Sequence, residues 1–292
     1  MPDLKVGVLG ASSLVGGCLL AQLAELESSA VAFSRKKQTE TQSGTVEWRQ
    51  LPTLGTKSPD ITSSISQWIC VAPIWLLPDY FALIEASGAR RLVALSSTSR
   101  FTKVGSGDTA ENAIAAKLIE SEARVHAWAE DRGIEWVVLR PTLIYGLGRD
   151  KNISEMARFI RQFGFFPLLG RARGLRQPIH AEDVAAACVA ALQVPDVANR
   201  SYNISGGETL AYRDMVARVF AALGRPARLV TVPLWAFRLA VAMLRYLPRY
   251  RHGSAAMAER MNRDLVFDYT DAARDLGFEP RGFALTAEDV PQ

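Results

Sequence analysis

Hydrophobic positions along this chain fall into short unbroken runs that alternate with longer stretches of helical spacing. Lys5 to Leu9 (KVGVL) is an apolar, β-branched run that stops at Gly10, and the LVGGCLLAQLAEL that follows repeats apolar residues every three to four positions. This predicts a strand, a tight turn and a helix. Further buried strands are predicted at Ala30 to Phe33, Val46 to Leu51, Trp68 to Ala72, Leu92 to Ser96, Trp136 to Leu139 and Ser201 to Ile204. Between them, helical spacing appears at Leu76 to Ala86, Ala110 to Arg132 and Ala181 to Leu192, and again later at Tyr212 to Leu223 and Leu234 to Leu247. Strands that alternate with helices must cross over to pair in parallel, so the expected class is α/β: a doubly wound parallel Rossmann-type sheet.

Beyond Arg140 the regularity degrades, with Pro141, Gly146, Gly148, Pro167, Gly170 and Gly174 punctuating the chain. The expected organisation is a dinucleotide-binding domain over 1–145, with 176–205 returning to it. A smaller, mainly helical substrate lobe is expected from 146–175 and 206–292. At 292 residues and 49% hydrophobic, the chain is long enough for both.

The net charge of +4 is mild and dispersed, without the basic stripe that nucleic acid demands, so nucleic acid is not an expected partner. Cys18, Cys70 and Cys188 stand singly inside apolar runs. They read as buried thiols of a reduced, cytoplasmic protein. The scattered His126, His180 and His252 give no metal-binding spacing, and no metal is expected.

A strand that runs through a glycine turn into a helix aims backbone N–H groups and the positive end of the helix dipole at a phosphate. In GASSLVG, Gly10 makes the turn and Gly16 lets helix and strand approach; Ser13 stands where the usual pattern has its middle glycine. A plain strand-to-helix turn without a ligand has the same signature, but the position in the first βαβ unit favours a dinucleotide. The second strand ends in Ser34, Arg35, Lys36 and Lys37, with no carboxylate to accept from ribose hydroxyls. This basic end favours NADP over NAD through a 2′-phosphate, although a solvated basic loop would look the same.

Five segments together resemble the extended and atypical short-chain dehydrogenase/reductase family, which includes nucleotide-sugar epimerases and dehydratases. They are VGVLGASSLVGG, LVALSSTS, LRPTLIYGLGRD (139–150), RQPIHAEDVAAA (176–187) and SYNISGGE. The resemblance implies cofactor contacts from Gly10, Ser12, Ser13, Leu14, Val15, Gly16, Ser34, Arg35, Lys36, Ala72, Lys117 and Arg140. It also implies a substrate lobe entered through Tyr145 and Gly146, with Tyr145 and Arg176 as substrate ligands. Arg176 would offer a bidentate guanidinium to a diphosphate, or else serve an ordinary ion pair.

Family enzymes use a Tyr with a Lys four residues later as their acid/base pair. In ENAIAAKLIESE, Lys117 matches the lysine and Ala113 occupies the tyrosine's place, and no tyrosine lies between Tyr80 and Tyr145. The remaining candidates for proton transfer or carbonyl polarisation are Lys117, Tyr145, Ser96 and Ser97.

Leu234 to Leu247, followed by Arg249, Arg251 and His252, is apolar and basic. Segment 234–252 is therefore either a wall of the lobe or a peripheral membrane contact, and it is too interrupted by charge to span a bilayer. Three functions stay open. One is an NAD(P)-dependent oxidoreductase or epimerase-like enzyme acting on a nucleotide-sugar or related polar substrate. The second is a non-catalytic dinucleotide-binding protein similar to the complex I accessory subunit of this fold. The third is a reductase of apolar substrates with Phe163, Phe165, Phe166, Leu168 and Leu169 lining the lobe.

Overall fold

The structure, a computed structural model, describes residues 5–36, 45–51, 64–235 and 260–291. Lys37, His252 and all but Leu234 and Trp235 of the apolar basic segment 234–252 lie outside the described residues.

A parallel sheet of seven strands forms the centre. In chain order its first six strands are β1 (Val6–Leu9), β2 (Ala30–Ser34), β3 (Val46–Gln50), β4 (Gln67–Cys70), β5 (Arg91–Leu95) and β6 (Glu135–Pro141). The strands lie side by side as β3, β2, β1, β4, β5, β6, with the returning strand β11 (Arg200–Ile204) at the far edge. The order reverses between β1 and β4, where a crevice opens at the carboxyl ends of the strands.

Alternation along each strand divides its side chains between the two faces. Val6, Val8, Ile69, Val93, Val137 and Leu139 share one core with α1 (Leu14–Glu25) and α6 (Ala181–Gln193). Leu9, Val31, Trp68, Cys70, Leu92 and Val138 share the other with α2 (Phe81–Ala86) and α4 (Thr109–Asp131). Burial on both faces explains why these strands read as unbroken apolar runs. The predicted helix at 76–86 is broken in the structure: Pro78 sits in a 3₁₀ turn over Ile74–Tyr80 that leads into α2.

The second lobe has its own core. Three two-stranded sheets were not foreseen: β7 (Ile144–Tyr145) with β10 (Ile179–His180), β8 (Phe166–Leu169) with β13 (Leu229–Val232), and β9 (Leu175–Arg176) with β12 (Leu210–Ala211). They pack with α5 (Ile153–Phe163) and α7 (Tyr212–Ala222). Asp150 starts α5 by accepting from the N–H groups of Asn152 at 2.7 Å and Ile153 at 2.6 Å, and Gly164 at φ +76° ends it. The short α3 (Ser99–Thr102) leads from β5 towards α4, and α8 (Thr270–Leu276) closes the β11 edge. Phe166, Leu168 and Leu169 pack inside the lobe core, whereas Phe163 and Phe165 are exposed; none of the five lines the crevice. No helix among the described residues is long and apolar enough to cross a membrane.

Candidate active site

The crevice is a two-part cleft whose halves meet at Ser13, Val71, Ala72 and Pro73. One half, of about 290 Å³, is bordered by Gly10, Ser12, Ser34, Arg35 and Tyr80. The other, of about 590 Å³, lies beside Leu14, Val15, Ser96 and Ser97. Together the two halves fall in the range of small-molecule sites.

Gly10 sits at φ +84°, and a Cβ there would lie 2.5 Å from the backbone nitrogen of Ala72. A Cβ on Gly16 would lie 2.5 Å from the carbonyl oxygen of Ala11. Both glycines let the turn close against β4 and α1. Ser13 caps α1, its Oγ accepting from the Gly16 N–H at 3.0 Å. With that lone pair engaged, the hydroxyl proton remains to be donated elsewhere, beside the first-turn N–H groups of Leu14 and Val15, which have no acceptor within the helix. This cradle of glycines, helix N–H groups and a hydroxyl fits a dinucleotide diphosphate. At the end of β2, Arg35 lines the cleft and Lys36 stands exposed beside it, its N–H donating to Ser34 Oγ at 3.3 Å.

Four expected positions require correction. Lys117 is exposed with its ammonium 5.1 Å from the centre of the Trp75 ring, outside the cleft lining. The phase of α4 instead presents Ile114 and Leu118, also four residues apart, to the cleft. Tyr145 is fully buried, edge-on to His180 at 5.1 Å and Phe283 at 4.9 Å, with no hydrogen-bond partner for its hydroxyl. Burial, with Asp289 and Asp183 adding to it, pushes its phenol far above the usual value. It is a core residue because β7 turns it into the lobe.

Arg140 does not line the cleft, and its Nη2 donates to Glu122 Oε2 at 2.7 Å. Glu122 is 1% exposed and also accepts from Arg100 and from the hydroxyl of Ser96. Arg176 is likewise buried: Nη1 donates to the carbonyls of Leu175 at 2.6 Å and Arg263 at 2.8 Å, Nη2 donates to that of Arg260, and the guanidinium lies over Tyr212. A guanidinium spent on backbone carbonyls clamps the segment at 260–263 onto β9 and offers nothing to a diphosphate. Arg176→Leu is therefore expected to cost about 3 kcal/mol of stability by orphaning these carbonyls. A calorimetric unfolding scan would register it as a lower midpoint, while dinucleotide affinity stays within twofold.

The two serines at the end of β5 also separate. The proton of Ser96 is committed to Glu122, whereas Ser97 Oγ accepts from the Ser99 N–H at 3.1 Å and keeps its proton to donate. Lys103, which the sequence reading passed over, lines the same half of the cleft. Burial chiefly, and then the nearby Arg260, draw its ammonium below the usual lysine value, against an opposing pull from Asp108. Its only signal in the sequence is a lysine a few residues past the serine-rich strand end. Elsewhere, Glu182 N–H donates to His180 Nδ1 at 3.3 Å, which leaves Nε2–H to bond Asp289 at 3.0 Å, so this histidine is structural. Among the described residues no group of three His, Cys, Asp or Glu is placed to hold a metal ion.

Comparison with known proteins agrees with this architecture. Residues 79–205 match the model of the NAD dependent epimerase/dehydratase family. A UDP-glucose 4-epimerase of Vibrio cholerae is 25% identical over 174 residues, covering 58% of this chain and 51% of that protein. A 2-alkyl-3-oxoalkanoate reductase of Stenotrophomonas maltophilia is 28% identical over 222 residues, 68% of this chain and 67% of that protein. The chain spans about half the length of the first curated relatives it matches. Among solved structures, MoeE5 in complex with UDP-glucose and NAD superposes with a TM-score of 0.69 at 20% identity, over 98% of this chain and 95% of that one. Residues 79–205 are thus similar to the NAD dependent epimerase/dehydratase family, and the chain as a whole shares the fold of that solved structure.

Proposed function

We propose that this chain is an NADP-preferring oxidoreductase that transfers hydride to a carbonyl carbon, or from the corresponding carbinol carbon, in the larger half of the cleft. The observation that carries the reading is the continuity of the cleft: the glycine cradle opens directly onto Ser97 and Lys103 through Ser13 and Ala72. A nicotinamide held there supplies or accepts the hydride. The Ser97 hydroxyl donates to the substrate oxygen, and the lowered Lys103 ammonium releases a proton to it as charge develops. Preference for NADP rests on Arg35, which lines the smaller half without a neighbouring carboxylate on β2.

Arg35→Ala is expected to weaken NADPH binding at least tenfold and NADH binding less than threefold, measured by titration of each. Equal losses for both cofactors would remove the preference. Turnover is tested with NADPH and a panel of nucleotide sugars and oxo acids, followed by nicotinamide absorbance, and Lys103→Gln is expected to abolish it.

A second reading, dinucleotide binding without turnover, has a specific observation in its favour: α4 lines the cleft with Ile114 and Leu118, where neither side chain can exchange a proton. Tight NADPH binding with no oxidation by any panel member selects it. Likeness suggests two substrate classes, the UDP-glucose of the solved neighbour and the oxoalkanoate of the curated relative.

A further inference from the structure

We infer that the larger half of the cleft takes a substrate with an apolar chain and a single anionic head, a carboxylate or phosphate monoester, in place of a nucleotide sugar. This deepens the proposed function and rests on it. A sugar ring presents hydroxyls in every direction, and each one buried without a partner is costly. The wall that would meet it carries Ile114, Leu118, Trp75 and Ile144, together with Leu95 and Pro141. The two residues expected to hold a polar, diphosphate-bearing substrate, Tyr145 and Arg176, lie in the lobe core and on backbone carbonyls. An alkyl chain meets such a wall without loss.

The charged side chains at the same cavity are three cations, Lys103, Arg149 and Lys151, against one carboxylate, Asp150. Arg149 and Lys151 both line it, and neither makes an ion pair among the described residues. The carboxylate between them, Asp150, is buried and spent on α5, accepting from three backbone N–H groups and from Ser154 Oγ at 2.9 Å. Two cations therefore flank one buried, hydrogen-bonded carboxylate at the edge of a cavity with an apolar wall, and the balance of charge there is positive. That arrangement suits one compact anion attached to a hydrocarbon, since a lysine and an arginine hold a carboxylate or phosphate while the chain stays desolvated.

The test is calorimetric titration of the NADP⁺-loaded protein with dodecanoate, dodecyl phosphate, 1-dodecanol and UDP-glucose. Both anions are expected to bind at least tenfold more tightly than the alcohol and than UDP-glucose. Whichever anion binds the tighter identifies the head. Ile114→Asp and Lys151→Gln, each shown to be folded by its thermal transition, should weaken the preferred anion at least tenfold. Arg149 also reaches the first turn of α1, 3.8 Å from where a side chain on Gly17 would begin, so Arg149→Gln is titrated with NADP⁺ separately.

Tighter binding of UDP-glucose than of either anion overturns the inference, and so does binding of dodecanoate that Ile114→Asp and Lys151→Gln leave unchanged. Failure of wild-type protein to take up NADP⁺ at all overturns the proposed function itself, which keeps the two outcomes distinct.

Discussion

Glu122→Ala should be the most destabilising single change in the described structure, lowering stability by about 3–5 kcal/mol. Glu122 is almost fully buried and holds two guanidinium groups, those of Arg100 and Arg140, as well as the Ser96 hydroxyl. The pairing itself adds little net stability, because three charges were taken out of water to form it. Removing the carboxylate is different: it leaves two neighbouring cations without a counter-charge beside the Phe101 ring, which lies 5.1 Å from one and 5.5 Å from the other. For a domain of this size the unfolding midpoint should fall by about 10 °C. Glu122→Gln keeps an acceptor for Ser96 but not the charge, so it should recover only a minor part of the loss. A scan in which Glu122→Ala melts within about 2 °C of wild type would mean that the cluster is solvated and does not hold β5, β6 and α4 together.

Gly10→Val should have the largest effect on ligand binding, raising the dissociation constant for NADPH at least about a hundredfold, or about 2.8 kcal/mol. Two penalties act together at this position. A β-branched residue at φ +84° is strained by roughly 1–2 kcal/mol. Its Cβ would also press on the Ala72 backbone, which is part of β4's continuation and cannot swing aside as a side chain would. The turn must therefore open, moving Ser13 and the first-turn N–H groups away from the diphosphate. Titration of the folded variant with NADPH reads this directly; an unchanged affinity would mean that the cradle is not where the cofactor binds.

Much of the central sheet was legible because both its faces are buried. Strands such as Trp68–Cys70 and Leu92–Leu95 carry apolar residues at every position, in runs of strand length that are too short for a buried helix. The glycine turn was legible for a related reason, since only glycine satisfies the left-handed φ of Gly10 and the tight approach at Gly16. The second lobe was harder. Strands of two residues, such as Ile144–Tyr145 and Leu210–Ala211, leave no period to read, and α5 was hidden among glycines although Asp150 and the spacing of Ile153, Ala157 and Ile160 mark it.

Side-chain direction was the least legible feature of the site. On α4 a difference of one residue is a rotation of about 100°, which separates exposed Lys117 from cleft-lining Leu118. On β6 the same shift separates Pro141, which faces the cleft, from Arg140, which faces Glu122. Matching a motif by residue type finds the element but not its phase. Arg176 illustrates a further limit: a guanidinium that meets main-chain carbonyls leaves no trace in the sequence of its partners.

The central claim, that the turn from Gly10 to Gly16 holds a nicotinamide dinucleotide, has a direct optical test because Trp75 lines the cleft. Titrating the protein with NADPH while exciting tryptophan should quench its emission saturably and raise nicotinamide emission by energy transfer, with both changes lost in Gly10→Val. Tryptophan emission that shows no saturable response to NADPH or NADH at millimolar concentration would contradict the account.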